Sequence, residues 1–108
     1  MDEQRELLAE LRKKHGTVAG FNVPGHGLLV VGKAQSEKAY QICVNAMHGK
    51  QGADVAVAQK QFVLNCVKYP EDKQSVRSML AEFPALATLA FNRAYELNGG
   101  AIEELGND

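Results

Sequence analysis

The sequence predicts a single α+β domain over residues 1–108, with an N-terminal helix, one β-hairpin and then about four helices. Two short runs of β-forming residues surround a Pro-Gly turn near residue 24, as in a hairpin. After residue 36, apolar residues recur three and four positions apart, which is the period of helices that cover a core. The length of 108 residues suits one domain and is too short for two.

Residues 1–15 are predicted to form a loosely packed helix. Acidic residues open it, basic residues close it and Gly16 follows as a terminator. Its apolar stripe contains only Leu7, Leu8 and Leu11, so little apolar surface is available to hold it in place. Two interpretations stay open: a peripheral helix on its own domain, or an arm that packs on another subunit or on a partner.

The hairpin is predicted from residues 17–23 and 28–31, which are rich in β-formers and flank Pro24, Gly25, His26 and Gly27. The glycine-rich tip lacks the GK[ST] ending and the parallel βαβ context of a phosphate loop, so a simple turn is favoured. We find no residue near His26 in the sequence that would orient its ring.

Two helices are predicted next. Ser36 is placed to cap the first, and Asp54 is placed to cap the second, which we expect to end near Tyr69. The residues expected to face the core have helical spacing; they are Ala39, Ile42, Cys43, Ala46 and Met47 on the first helix and Val55, Phe62, Val63, Cys66 and Val67 on the second.

Two prolines divide the remainder into a helical corner. Pro70 and Pro84 disfavour helix in the preceding residue, so Tyr69 and Phe83 are predicted junctions between helices. Asp72 is expected to cap the helix between them. Core positions are predicted at Val76, Met79, Leu80 and Phe83 on the first of these helices and at Leu86, Ala87, Leu89, Ala90, Ala94 and Leu97 on the second. Gly99 and Gly100 are the predicted final cap, and residues 101–108 are expected to form a frayed tail.

Composition narrows the class of function. Twelve basic and thirteen acidic side chains are spread along the chain, which gives no electrostatic case for nucleic acid or a membrane surface. Cys43 and Cys66 lie on apolar stripes far from any metal-ligand pair, which indicates buried thiols and a reducing compartment. Without a signal peptide or a membrane-spanning apolar run, we expect a cytoplasmic protein.

No catalytic constellation is visible. The sequence contains no nucleophile elbow or paired carboxylates in a shared buried context, and the three histidines fall at predicted helix ends and a turn. We therefore predict a non-enzyme without a cofactor or metal. Tyr69 and Tyr95 are either aromatic anchors for a partner or covers of a small core.

The order of motifs resembles a family of small bacteriophage proteins regarded as tail-assembly chaperones. The likeness rests on a Lys-His-Gly break at residues 14–16 and on Lys33, Ser36 and Tyr40 after the hairpin. It also rests on residues further along that mark the boundaries of helices: Cys66, Val67, Tyr69, Pro70, Pro84, Leu86 and Gly99. Gln35 and Ala39 depart from the pattern, and the second departure removes the usual capping box.

This resemblance implies a non-catalytic protein that binds the tail tape-measure protein in the host cytoplasm during virion assembly. We predict partner contacts through Leu7, Leu8, Leu11, Tyr69 and Tyr95, and homo-oligomers are possible through the N-terminal helix. The alternative is a small phage regulatory or host-directed protein that binds nucleic acid or a nucleic-acid enzyme. Against direct DNA binding, the last two helices meet at a proline and the second carries one basic residue, Arg93.

Overall fold

The computed structural model describes residues 2–48, 52–100 and 102, and it confirms the α+β class. A hairpin and one further strand form a sheet, and helices precede and follow it. In chain order the elements are α1 (Asp2–His15), β1 (Ala19–Val23), β2 (Gly27–Val31), α2 (Glu37–His48), α3 (Gly52–Cys66), β3 (Val67–Tyr69), α4 (Lys73–Glu82), α5 (Pro84–Tyr95) and a closing turn, Glu96–Gly100.

The sheet is antiparallel with strand order β1-β2-β3. The third strand corrects the sequence prediction, because α3 ends at Cys66 instead of continuing to Tyr69. Val67 pairs with Val31 and Tyr69 with Val30, and the Gly32 amide donates to the Cys66 carbonyl at 2.9 Å. Pairing with the open side of β2 satisfies the backbone of this segment, so it overrides a helical apolar pattern.

The sheet is buried on both faces, which gives the domain three layers. Side chains on one face of the hairpin pack with α3, α4 and α5 in the main core, among them Val23, Leu29 and Val31. On the opposite face Val30 packs in a second cluster with Leu11. The sheet therefore lies between α1 and the other helices, and β2 contributes to both clusters.

α1 packs against the sheet of its own domain. Leu11 is only 9% exposed, and Leu7 and Leu8 are half-buried against the sheet. A Cβ built on Gly20 would meet the Leu8 methyl carbons at 3.3 and 3.4 Å, so the glycine allows α1 to approach the strand closely.

The helical corner after β3 agrees with the sequence prediction in most details. Asp72 accepts from the Gln74 amide at 3.0 Å and caps α4, and hydrogen bonds from the Ser75 hydroxyl and then the Gln74 amide lower the pKa of this carboxyl. Phe83 is the junction before Pro84, as predicted, and Gly99 ends the last turn with φ 110°. The predicted junction at Tyr69 is instead the end of β3.

Several helical positions differ from prediction. Ile42 and Leu89 were expected in the core but are 56% and 55% exposed, because no described element covers those faces of α2 and α5. α3 begins at Gly52, ahead of the predicted cap Asp54. The side chains of Ala46 and Met47 and, apart from Ile102, the tail at 101–108 lie outside what the structure describes.

Candidate partner-binding site

An open groove runs between α2 and α3. The two helices are neighbours along the chain, and the Gln35 amide just before α2 donates to Asn65 Oδ1 near the end of α3, at 2.9 Å. The start of α2 therefore lies beside the end of α3, and the pair is antiparallel. The groove has a volume of about 500 Å³.

The floor of the groove is buried and its rim carries exposed aliphatic side chains. Cys43, Ala58 and Phe62 form the floor and are 6% exposed or less. Ile42 on α2 and Val57 on α3 are 56% and 55% exposed at the rim. Large aliphatic groups this exposed beside a concave apolar surface are typical of a site that another apolar surface covers.

One end of the groove is polar. The polar lining residues are Ser36, Lys38, Gln61 and Asn65, and Lys38 carries the only charge among the lining residues. Ser36 caps α2, since its Oγ accepts from the Ala39 amide at 3.3 Å. The groove can thus receive an apolar helical face and meet a polar or acidic group at this end.

The thiols do not add chemistry to the groove. Burial raises the pKa of the Cys43 thiol, which keeps it protonated at neutral pH. Burial also raises the pKa of Cys66 to about 11, although a hydrogen bond from Asn98 acts in the opposite direction. Buried protonated thiols are poor nucleophiles, so both behave as small apolar core groups.

A second groove, of about 740 Å³, lies between α1, the hairpin turn and α4. Its apolar lining consists of Leu7, Leu28, Tyr69, Pro70 and Met79, with His26 at the turn. Its lining is more mixed than that of the α2–α3 groove, and none of these apolar side chains is more than half exposed at its rim. It is therefore the weaker candidate for a large apolar partner.

His26 is oriented by residues that the sequence did not suggest. Its Nε2 lies 2.7 Å from Oε1 of Glu82, 56 positions away, and its ring meets Phe83 edge-on with centroids 6.2 Å apart. These contacts fasten the hairpin turn to the end of α4. The expectation that nothing orients this ring was wrong, because the fold brings together segments that are distant in sequence.

The five predicted contact residues do not form one surface. Leu7, Leu8 and Tyr69 pack in one cluster with the buried Leu11, between α1 and the sheet. Leu7 and Tyr69 also line the second groove. Tyr95 is 43% exposed elsewhere and stacks on Phe91 with centroids 6.2 Å apart. Partner binding by these residues stays a prediction, and for Leu11 it requires α1 to leave the sheet.

The rim of the α2–α3 groove was missed by sequence reasoning. Ile42 has the helical spacing of a core residue and was assigned to the core. Val57 received no role, although it is an apolar residue one helical turn before the polar Gln61. An apolar residue on a face that the pattern assigns to solvent was the available signal.

A small cationic group lies beside the groove-bearing helices. The Lys73 ammonium donates to the Leu64 carbonyl and so serves the end of α3, while burial, followed by the charges of Lys68 and Arg77, lowers its pKa.

Within the described ranges, no group of three or more His, Cys, Asp or Glu residues could hold a metal ion. No helix in that part of the chain is long and apolar enough to cross a membrane. Comparisons with protein-family models, curated proteins and solved structures found no match to this chain.

Proposed function

We propose that this protein is a non-catalytic tail-assembly chaperone that binds an amphipathic helix of a phage tape-measure protein in the α2–α3 groove. The observation that carries the proposal is the exposure of Ile42 and Val57 beside a buried apolar floor. An amphipathic helix that places residues i, i+3, i+4 and i+7 in such a groove would cover both side chains.

The groove supports this function on physical grounds. Two adjacent helices leave a furrow that the ridge of a third helix can fill, and the apolar area removed from water provides the favourable free energy. A long helical protein waiting for its tube to polymerise exposes many apolar stripes of this kind. Covering one such stripe reduces aggregation without a nucleotide, metal or nucleophile.

The alternative, a regulator that binds nucleic acid through α5, receives less support. Arg93 is the one basic residue of that helix, and its Nη1 lies 2.5 Å from Oε1 of Glu96. This ion pair lowers the positive charge that α5 presents. A regulator that binds a protein enzyme through the same α2–α3 groove would share the geometry, and co-expression with the tape-measure protein distinguishes the two.

The test is co-expression with the tape-measure protein, which the proposal expects to be encoded by a very long helical reading frame beside this gene. We expect the long protein to become more soluble with this protein than without it, and a complex to co-purify. If the long protein is equally insoluble in both cases and no complex forms, the chaperone proposal is wrong. A gel shift with duplex DNA that weakens as salt rises would instead favour the nucleic-acid alternative.

A further inference from the structure

The two edges of the sheet differ in how well they are protected from pairing with another strand. β3 has three residues, carries Lys68, is followed by Pro70 and pairs with a register shift between Val30 and Val31. Short length, lysine, proline and irregular pairing are the features that protect sheet edges. β1, the other edge, is longer at five residues, contains no charged residue and pairs in a continuous register, with Pro24 following it in the hairpin turn.

The outward backbone groups of β1 can be identified. The Val23 carbonyl accepts from the His26 amide at 2.9 Å, so it points toward the β2 side of the hairpin. Because backbone direction alternates along an antiparallel strand, Ala19, Phe21 and Val23 pair with β2. Gly20 and Asn22 therefore direct their amides and carbonyls to the outer edge, and both residues are exposed.

We propose that β1 is a homodimer interface, at which two copies of this chain pair their β1 strands antiparallel about a two-fold axis at Phe21. Gly20 of each copy then faces Asn22 of the other and exchanges backbone hydrogen bonds with it. Ala19 of each copy faces Val23 of the other, and the two Phe21 residues face each other. The two three-stranded sheets become one sheet of six strands, with the two β1 strands at its centre.

A second copy fits this edge because the strand is complementary to itself. Around the axis each smaller residue meets a larger one, Ala19 with Val23 and Gly20 with Asn22. The strand is neutral, so self-pairing brings no like charges together. A two-fold interface uses the same patch on both subunits, which is the requirement that this register meets.

Phe21 gives the pairing an apolar component. Its ring packs against the main core but is only half-buried in the monomer. In the proposed register the two Phe21 residues form a non-hydrogen-bonded pair, in which side chains approach most closely. Each ring covers the exposed part of the other, and aromatic cross-strand pairs stabilise antiparallel sheets.

α1 does not need to move for this pairing. Gln4 Nε2 donates to Asn22 Oδ1 at 3.3 Å, a side-chain contact on the face where Leu8 approaches Gly20. Side chains project perpendicular to the backbone hydrogen bonds of a sheet, so α1 covers a face of β1 and not its outer edge. The outer edge of β1 therefore stays open while α1 remains in place.

Sedimentation equilibrium on the full chain tests the proposal, with concentrations from about 1 µM to 1 mM, the range of moderate association. We expect the mass to rise from 11.7 kDa toward twice that value. Asn22→Pro removes one outward amide per copy and leaves a backbone that an edge strand tolerates, so its mass should remain that of a monomer. Asn22→Ala is the matched control: it loses the Gln4 contact, keeps the amide and should still dimerise.

A monomeric wild-type protein throughout this range would overturn the proposal, as would a dimer of the Asn22→Pro variant. Hydrogen exchange of the wild-type protein gives a second measurement that does not depend on any variant folding. The Gly20 and Asn22 amides should exchange several-fold more slowly at high than at low concentration, whereas the Gly25 amide in the turn should not change. Equal exchange of Gly20 and Asn22 at both concentrations would also refute the β1 interface.

Discussion

The side-chain oxygen of Asn98 accepts a hydrogen bond from the backbone amide of Ala34 at 2.8 Å, across 64 positions of sequence. Its Nδ2 donates to the Ala94 carbonyl at 2.7 Å and to the Gly32 carbonyl at 3.4 Å. One amide side chain thus joins the closing turn, Glu96–Gly100, to the segment between β2 and α2. That segment sets where α2, and with it one wall of the groove, begins.

Asn98→Ala should lower the free energy of unfolding by about 1–3 kcal/mol, because the part-buried Ala34 amide loses its acceptor. Urea unfolding followed by circular dichroism measures the change. Asn92→Ala, at an exposed position of α5, is the control and should alter stability by less than about 0.5 kcal/mol. Equal effects of the two substitutions would mean that the Asn98 contacts do not hold the segment.

Leu80→Ala should cost about 2–5 kcal/mol, because this side chain is 3% exposed and its removal leaves a cavity in the main core. Leu89→Ala makes the same chemical change at a position that is 55% exposed, and should cost less than about 1 kcal/mol. Thermal or urea unfolding of both variants checks the difference. A loss below about 1 kcal/mol at Leu80 would show that this face of α4 is not core.

Cys66 should make the protein less stable in alkali. Burial raises the pKa of the Cys66 thiol to about 11 from its usual 9.0, so the thiol of the unfolded chain ionises first as pH rises. The thiol's contribution is present below pH 9 and is lost between pH 9 and 11, with a magnitude of roughly 2–3 kcal/mol. Urea unfolding at several pH values should show this extra loss in the wild type and not in Cys66→Ala, and parallel pH curves for the two would contradict it.

Ile42→Asp combined with Val57→Asp should abolish capture of the tape-measure partner while preserving the helical circular dichroism signal. Both side chains are more than half exposed, so the new carboxylates remain solvated in the free protein. They would be buried without partners under an apolar helix, which is unfavourable. Leu89→Asp is the matched control, with similar exposure outside the groove, and should retain capture. Capture by the double variant would place the binding surface elsewhere.

Local signals predicted most of the helix boundaries correctly. Asp72, Phe83 and Gly99 end or begin elements where expected, because capping and the restrictions around proline depend on residues only a few positions apart. β3 was missed for the opposite reason. Val67 continues the helical apolar spacing of α3, and only the distant partner strand β2 makes an extended conformation more favourable there.

The candidate site was less predictable than the fold. Periodicity identifies which face of a helix is apolar, but it does not show whether another element covers that face. Leu80 and Ile42 therefore look alike in sequence, yet one is 3% and the other 56% exposed. Conversely, the stripe of α1 looks thin enough to be free, but the sheet supplies a surface that buries Leu11.

The position of the sheet between α1 and the remaining helices also bears on the order of synthesis. Ribosomes make α1 first, whereas the surface that receives Leu11 includes Val30 and Tyr69, which are added much later. Until β2 and β3 have emerged and paired, the leucines of α1 have no surface of their own domain to pack against. During translation, the leucines of α1 are thus open to contacts with other chains until β2 and β3 have paired.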